Sequence, residues 1–415
     1  MAAQTLDRVT NRVKEDWVLG FAKKLIDIPS FKTEESEIAL FLASNFRRWG
    51  YEVDLQEVDP GRYQVVATLR GTGGGKTLML NGHIDMDPLS MGWKRDPWAS
   101  TVEGDRLYGA GIYNMKGGVA SIVAAAEALR RAKAALKGDV QVACVVGELQ
   151  GGMGTEYALA QGYRPDMAIV AEPNDADTVL TVHAGWLEMA VNVLGESRHI
   201  SQKESGVNAI QKMSRAIEAI NGLELAHTPF PALPSLPRLH VGAIIGGQGR
   251  DHVINGPNFV PDFCTALVDG RMVPGQTSAG VLEEVRRALD AVKASDPEFE
   301  YEIEMPPPAG YRVLRTVMEP MDMPTDEEIV KAVARGYRAV TGGELAHVGS
   351  KTPNSYSGND TTHMWKAGIP CVLYGPGGAC DEREGEPDNY IRISDMVTCA
   401  KVIAATALDV CNQEG

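Results

Sequence analysis

Several things are scarce in this 415-residue chain. Only six cysteines occur, at 144, 264, 371, 380, 399 and 411, and none forms a CxxC pair. So sparse a set excludes a disulfide framework and a cysteine zinc cluster. Several sit in apolar runs, such as Cys144 in QVACVV and Cys371 in IPCVLY, and are expected to be small buried hydrophobes. No run of 18 apolar residues is present, so no membrane-spanning helix is expected. The first residues, MAAQTLDRVTNRVKEDW, lack the apolar core of a secretory signal, which points to a cytoplasmic protein. Positive charge is also short. Forty Lys and Arg face 55 Asp and Glu, a formal net charge of −15. Such a surface repels nucleic acid and anionic membranes, and the basic cluster Arg130-Arg131-Ala132-Lys133 reads as a solvated helix face. Neither GxxxxGK[ST], GxGxxG in a strand-to-helix setting, nor GxSxG occurs, which excludes the common phosphate loops and the serine-hydrolase elbow. The stretch GTGGGK (71–76) is expected to be a hairpin turn.

What is present is ordinary globular material, 44% apolar and 23% charged, in a length that suits two domains. Helical spacing marks 11–28 and 35–49, the second closed by Gly50. Strands at 51, 63 and 77, a helix over 117–136, a strand at 139, a helix over 153–161 and a strand at 166 alternate as in an α/β layer with a mixed central sheet. From 186 the pattern changes to strand–helix–strand–strand–helix–strand, ending near 305. That order predicts an inserted ferredoxin-like α+β domain over 186–305, with 1–185 and 306–415 forming the first domain. A helix at 326–340, a strand at 371–375 and a helix at 394–411 complete the chain.

Three predicted strands each run into a ligand-type residue. LMLNG leads to His83 and Asp85, QVACVVG to Glu148, and MAIVA to Glu172. Sites in open α/β sheets gather beyond the carboxyl ends of strands. One imidazole and three carboxylates arriving there suggest a divalent-metal site. His83-x-Asp85 has its own logic, because a metal-binding histidine usually donates its second N–H to a carboxylate, and one two residues away can reach it or its neighbour.

These residues sit in a longer series of motifs: GHIDMDP (82–88), DPWASTVEGDRLYGAGIYNMKGG (96–118), GELQGGMGT (147–155), AEP (171–173), GESRHISQKESGVNAI (195–210), GAIIGG (242–247), VDGRMVPG (268–275), SGNDTTHM (357–364) and YGPGG (374–378). In order and spacing the series resembles the M20 family of metallohydrolases. The resemblance implies a zinc-peptidase-like catalytic domain, a ferredoxin-like lid that commonly mediates dimers, and a small carboxylate-bearing substrate. It further implies metal ligation by His83, the position of Asn114 and Glu172. Asp85 would orient the histidine, and Glu148 would be the general base. His199 of the lid would stabilise the oxyanion, and Asn208, Arg271 and Gly358 would lie near the substrate.

The departures from the family pattern are specific. A bridging Asp is replaced by Asn114, the second Glu of a pair by Leu149, a late His by Gly385, and the Arg of GRG by Ala110. Leucine cannot coordinate, and Asn114 removes the charge that holds two cations together. Two divalent cations 4 Å apart repel by roughly 17 kcal/mol at an effective dielectric of 20. The expectation is therefore a single manganese or zinc ion per subunit, unless Glu384 or Glu386 replaces the lost histidine. A solitary ion favours a substrate that chelates it. The pattern thus also resembles the aryl-amine branch of the family, with deamination of an aromatic amino-carboxylate such as 5-nitroanthranilate. The alternatives are an ordinary N-acyl amino acid deacylase or carboxypeptidase, and an inactive binding protein of the same fold.

Overall fold

The computed structural model describes residues 3–254, 256–308, 310, 316–377 and 387–415. The chain divides into two compact units, one comprising Met1–Val182, Met321–Ser355 and Asn359–Gly415, the other His183–Pro320 and Tyr356–Gly358.

The first unit is built on an eight-stranded mixed sheet. Its strand order is Glu52–Asp59, Arg62–Leu69, Val140–Val145, Leu78–His83, Met167–Val170, Cys371–Leu373, Thr178–Leu180, His347–Gly349. The three central strands Val140–Val145, Leu78–His83 and Met167–Val170 run parallel. Parallel strands are covered on both faces, which explains why VQVACV, LMLNGH and MAIV read as continuous buried runs rather than alternating ones. Strands Arg62–Leu69 and Leu78–His83 are separated by Val140–Val145, so GTGGGK joins non-neighbours and is not the hairpin turn expected from sequence. Its glycines serve close approach instead. A Cβ on Gly71 would lie 2.3 Å from the Gly138 carbonyl oxygen, and one on Gly75 2.3 Å from that of Cys411.

Helices Glu15–Ile26, Ser36–Trp49, Gly117–Arg131, Glu328–Thr341 and Ile393–Val410 pack around this sheet. Ser36–Trp49 ends on Gly50 with φ 88°, the left-handed C-cap its sequence implied. Gly117–Arg131 is buried on nearly every side, which its run of Gly, Ala and Ser permits.

The second unit holds a four-stranded antiparallel sheet, ordered Arg238–Gly247, Phe263–Met272, Gly185–Leu194, Glu300–Glu304. Alternate residues Leu187, Met189, Val191 and Val193 share a core with Met213, Ala216 and Ile220 of helix Ala209–Asn221 and Val281, Val285 and Leu289 of helix Ser278–Ser295. The five described cysteines are all buried and free; Cys380 lies outside the described residues. Among the described residues no helix is long and apolar enough to cross a membrane.

Candidate metal centre

Strand register assembles the centre. His83 pairs with Val145 across the parallel ladder and Asn81 with Val170. The Ile84 amide donates to Val145 O, and the Ala171 amide to Asn81 O. Three residues beyond Val145 and two beyond Val170 stand Glu148 and Glu172, so all three strands deliver a polar side chain at the same edge. His83 Nε2 is 3.6 Å from Glu172 Oε1, 3.8 Å from Glu148 Oε2 and 2.9 Å from Asn114 Oδ1. Donor atoms of His83, Glu148 and Glu172 all lie within 4.8 Å of one another, and all three residues are buried.

Two buried carboxylates around one imidazole leave negative charge with little solvent to screen it. Burial would lower the His83 pKa, but Glu172, Asp85 and Glu148 outweigh it and hold the ring well above its ordinary value. Burial, then the charge of Glu172, pushes Glu148 well above the usual carboxylate range. One neutral or imidazole nitrogen, one amide oxygen and carboxylate oxygens form a donor set suited to a divalent transition ion, and a dication relieves the repulsion between the two glutamates. The residues fit the group.

Asp85 contacts His83 through both main chain and side chain, and its carboxylate has further partners. His83 Nδ1 lies 2.9 Å from the Asp85 backbone carbonyl and 3.4 Å from its carboxylate. The Asp85 carboxylate accepts the backbone amides of Glu148 at 3.2 Å and Leu149 at 3.0 Å. Burial opposes its ionisation, yet the His83 contact, the Leu149 amide and Arg62 keep its pKa below the ordinary value. One residue thus orients the imidazole through its main chain and seats the Glu148 turn through its side chain. Below that turn Arg62 Nε donates to Glu35 Oε2 at 2.8 Å, and Nη2 donates to the other oxygen, in a buried ion pair. A Cβ on Gly147 would lie 3.1 Å from Arg62 Nη2, so the pair underlies the same turn.

His199, Asn208, Arg271 and Gly358 belong to the second unit. His199 is exposed, with Nδ1 2.9 Å from Ser201 Oγ and its ring edge-on to Phe259. Asn208 caps helix Ala209–Asn221, its Oδ1 accepting the Ile210 and Gln211 amides. The Arg271 fork is engaged by Asp269 through two 2.9 Å hydrogen bonds, and its Nη1 lies 3.4 Å from Ser357 Oγ. Gly358 packs on Met318, with a Cβ there 3.0 Å from the Met318 Cβ. Glu384, Gly385 and Glu386 lie outside the described residues.

Sequence reasoning missed Asp360 and His363, although both lie in the quoted SGNDTTHM. Asp360 is fully buried beside Thr155, and its carboxyl is pushed up to about 7 by burial and Asp85, against the pull of His83. The signal was a polar cluster within a buried run, which carries no spacing rule. The Glu35–Arg62 pair, 27 residues apart, left no sequence signal at all.

A mixed α/β sheet with a buried His/Glu/Glu cluster at its carboxyl edge is the arrangement of a metal-dependent α/β enzyme, the cluster being able to hold a divalent ion. Residues 79–409 match the family model Peptidase family M20/M25/M40, and the chain belongs to that family of hydrolases acting on C–N bonds. It is 27% identical over 397 residues, 90% of this chain and 88% of the relative, to the N-formyl-4-amino-5-aminomethyl-2-methylpyrimidine deformylase of Halalkalibacterium halodurans. It is 29% identical over 393 residues, 91% of each chain, to the acetylornithine deacetylase of Photorhabdus laumondii. In fold it is similar to the di-peptidase Dug1p of Saccharomyces cerevisiae, with a TM-score of 0.78 at 13% identity over the whole of both chains.

Proposed function

We propose that the chain hydrolyses a C–N bond in a small carboxylate-bearing substrate, using a single manganese or zinc ion held by His83, Asn114 and Glu172. The observation that carries this is the convergence of His83 Nε2, Asn114 Oδ1 and the Glu172 carboxylate beside Glu148. When bound, the cation supplies Lewis acidity, polarising the substrate and making water more acidic. Glu148, already basic through burial and its neighbour Glu172, accepts the proton of the attacking water and hands it to the leaving nitrogen. Asp85 holds that carboxylate in place through two backbone amides. His199 donates a hydrogen bond to the anion formed on attack, and Asn208, Arg271 and Gly358 contribute to substrate binding.

The substrate class we favour is an aromatic amino-carboxylate such as 5-nitroanthranilate. Water oxygen bonds to the ring carbon, the C–N bond breaks, and ammonia leaves with the transferred proton. Support comes from Asn114 and Leu149, which remove two carboxylates and leave coordination positions for a chelating substrate. A second reading, deformylation or deacylation of an N-acyl amine, is favoured by the activities of the relatives. The active unit is a homodimer formed through the second unit, whose edge strand Arg238–Gly247 exposes Ile244 and Ile245.

The test is metal analysis of the purified protein combined with assays on 5-nitroanthranilate, other aminobenzoates, N-formyl amines and N-acetyl amino acids, following ammonia, formate and acetate. One cation per chain and ammonia release abolished by Glu148→Gln are expected. Two cations per chain, or full turnover by Glu148→Gln, would overturn the proposal; release of formate or acetate alone would select the second reading.

A further inference from the structure

The turn that carries Glu148 is closed by short-range backbone hydrogen bonds, from the Gln150 and Gly152 amides to Gly147 O at 3.1 and 3.0 Å and from the Gly151 amide to Glu148 O at 2.8 Å. Glu148–Gln150 is a single 3₁₀ turn, bracketed by Gly147, Gly151 and Gly152 with φ of 67°, 96° and 74°. Left-handed glycines make this tight path accessible, but they also leave the backbone free to take others. Asp85 anchors the beginning of the turn by accepting the Glu148 and Leu149 amides.

The end of the turn meets SGNDTTHM. His363 Nε2 lies 2.6 Å from the Gly151 carbonyl oxygen. A carbonyl oxygen only accepts, so Nε2 carries the proton. The ring is 7% exposed, and burial lowers its pKa, so it is a neutral donor. The fit is close. A Cβ on Gly152 would lie 2.7 Å from the His363 ring and 2.8 Å from Asp360 Oδ1, so the glycine main chain rests directly on these two side chains.

We propose that His363 is a positioning residue for Glu148, its Nε2–H fixing the Gly151 carbonyl while Asp85 fixes the opposite end of the turn. The proposal deepens, and rests on, the role given above to Glu148. These two side-chain anchors, one at each end of a three-residue turn, add to its own backbone hydrogen bonds in fixing where the carboxylate sits. Nothing in this requires His363 to touch substrate or cation.

The experiment uses the full chain with His363→Gln, His363→Asn and His363→Leu. A glutamine amide nitrogen reaches the place of Nε2, an asparagine amide the place of Nδ1, and leucine fills the volume without a donor. Hydrogen exchange of peptides spanning 147–155 is measured in metal-free protein, and the visible ligand-field bands are recorded after titration with Co²⁺ alone. Exchange in that segment is expected to accelerate about tenfold in the Leu and Asn variants, the effect of losing one buried hydrogen bond. The Co²⁺ bands shift with it, and His363→Gln restores both to wild type. Wild-type exchange in a folded Leu or Asn variant, or a Gln variant behaving like Leu, would overturn the proposal. If the Leu variant does not fold, the Asn variant decides. Absence of Co²⁺ bands in every protein, wild type included, would instead sink the metal-centre proposal, and the exchange measurements alone would then judge the clamp.

Discussion

Single side chains at this centre divide their polar atoms between tasks. Asp85 lends its main-chain carbonyl to His83 and its carboxylate to two amides of the Glu148 turn, so removing it disturbs the imidazole and that turn together. Asp360 presents the opposite economy, a buried acid raised from the ordinary 3.8 to about 7. Raised in the folded state, it favours folding while protonated, below the unfolded value. That contribution disappears as pH climbs through about 7. In metal-free protein, Asp360→Asn is therefore expected to match wild type in stability near pH 4 and to exceed it at pH 8, by an amount on the order of a few kcal/mol. Urea unfolding at the two pH values measures this; a difference independent of pH would contradict the assignment.

Among elements, the helix Gly117–Arg131 matters most for the centre. It begins directly after Asn114-Met115-Lys116, and its second residue is pressed against the strand end that leads to Glu172. A Cβ on Gly118 would sit 2.1 Å from the Ala171 carbonyl oxygen and 3.0 Å from Met115 Cε. Backbone cannot yield as a flexible side chain does, so Gly118→Ala must separate helix from strand. We expect a stability loss of about 1–3 kcal/mol and weaker Mn²⁺ binding, because Asn114 and Glu172 flank the displaced contact. Thermal unfolding and Mn²⁺ titration check both. Lys116 secures the entry to this helix, its buried Nζ donating to the Ile28 carbonyl at 2.7 Å.

For the molecule as a whole, the edge strand Arg238–Gly247 combines unpaired backbone on one side with exposed Ile244 at 52% and Ile245 at 38%. An edge of this kind is a surface that a second copy of the chain would cover in the proposed dimer. Ile244→Glu, which adds charge at an already exposed position, is expected to leave the fold intact and convert a dimer to a monomer in sedimentation velocity. An unchanged dimer would place the interface elsewhere.

Much of this architecture was legible before any coordinates. Periodicity located the long helices and the central strands because each buries a continuous face, and Gly50 marked a helix end because only a left-handed cap suits it there. Short strands such as Thr101–Glu103, Arg106–Tyr108 and His347–Gly349 escaped notice, since three residues are too few to display a period. GTGGGK does not distinguish a hairpin from a crossover, because both demand the same turn chemistry and only strand order separates them.

The sequence by itself determined which residues arrive at strand ends carrying imidazole or carboxylate, and that asparagine stands at 114 and leucine at 149. Those are properties of residue type and local spacing. Tertiary structure alone decided that parallel register sets His83, Glu148 and Glu172 at one edge, that Asp85 serves the backbone of a neighbouring turn, and that His363 meets Gly151 across 212 residues. Hydrogen bonds between distant segments depend on how whole elements pack, and no local pattern in the chain encodes that.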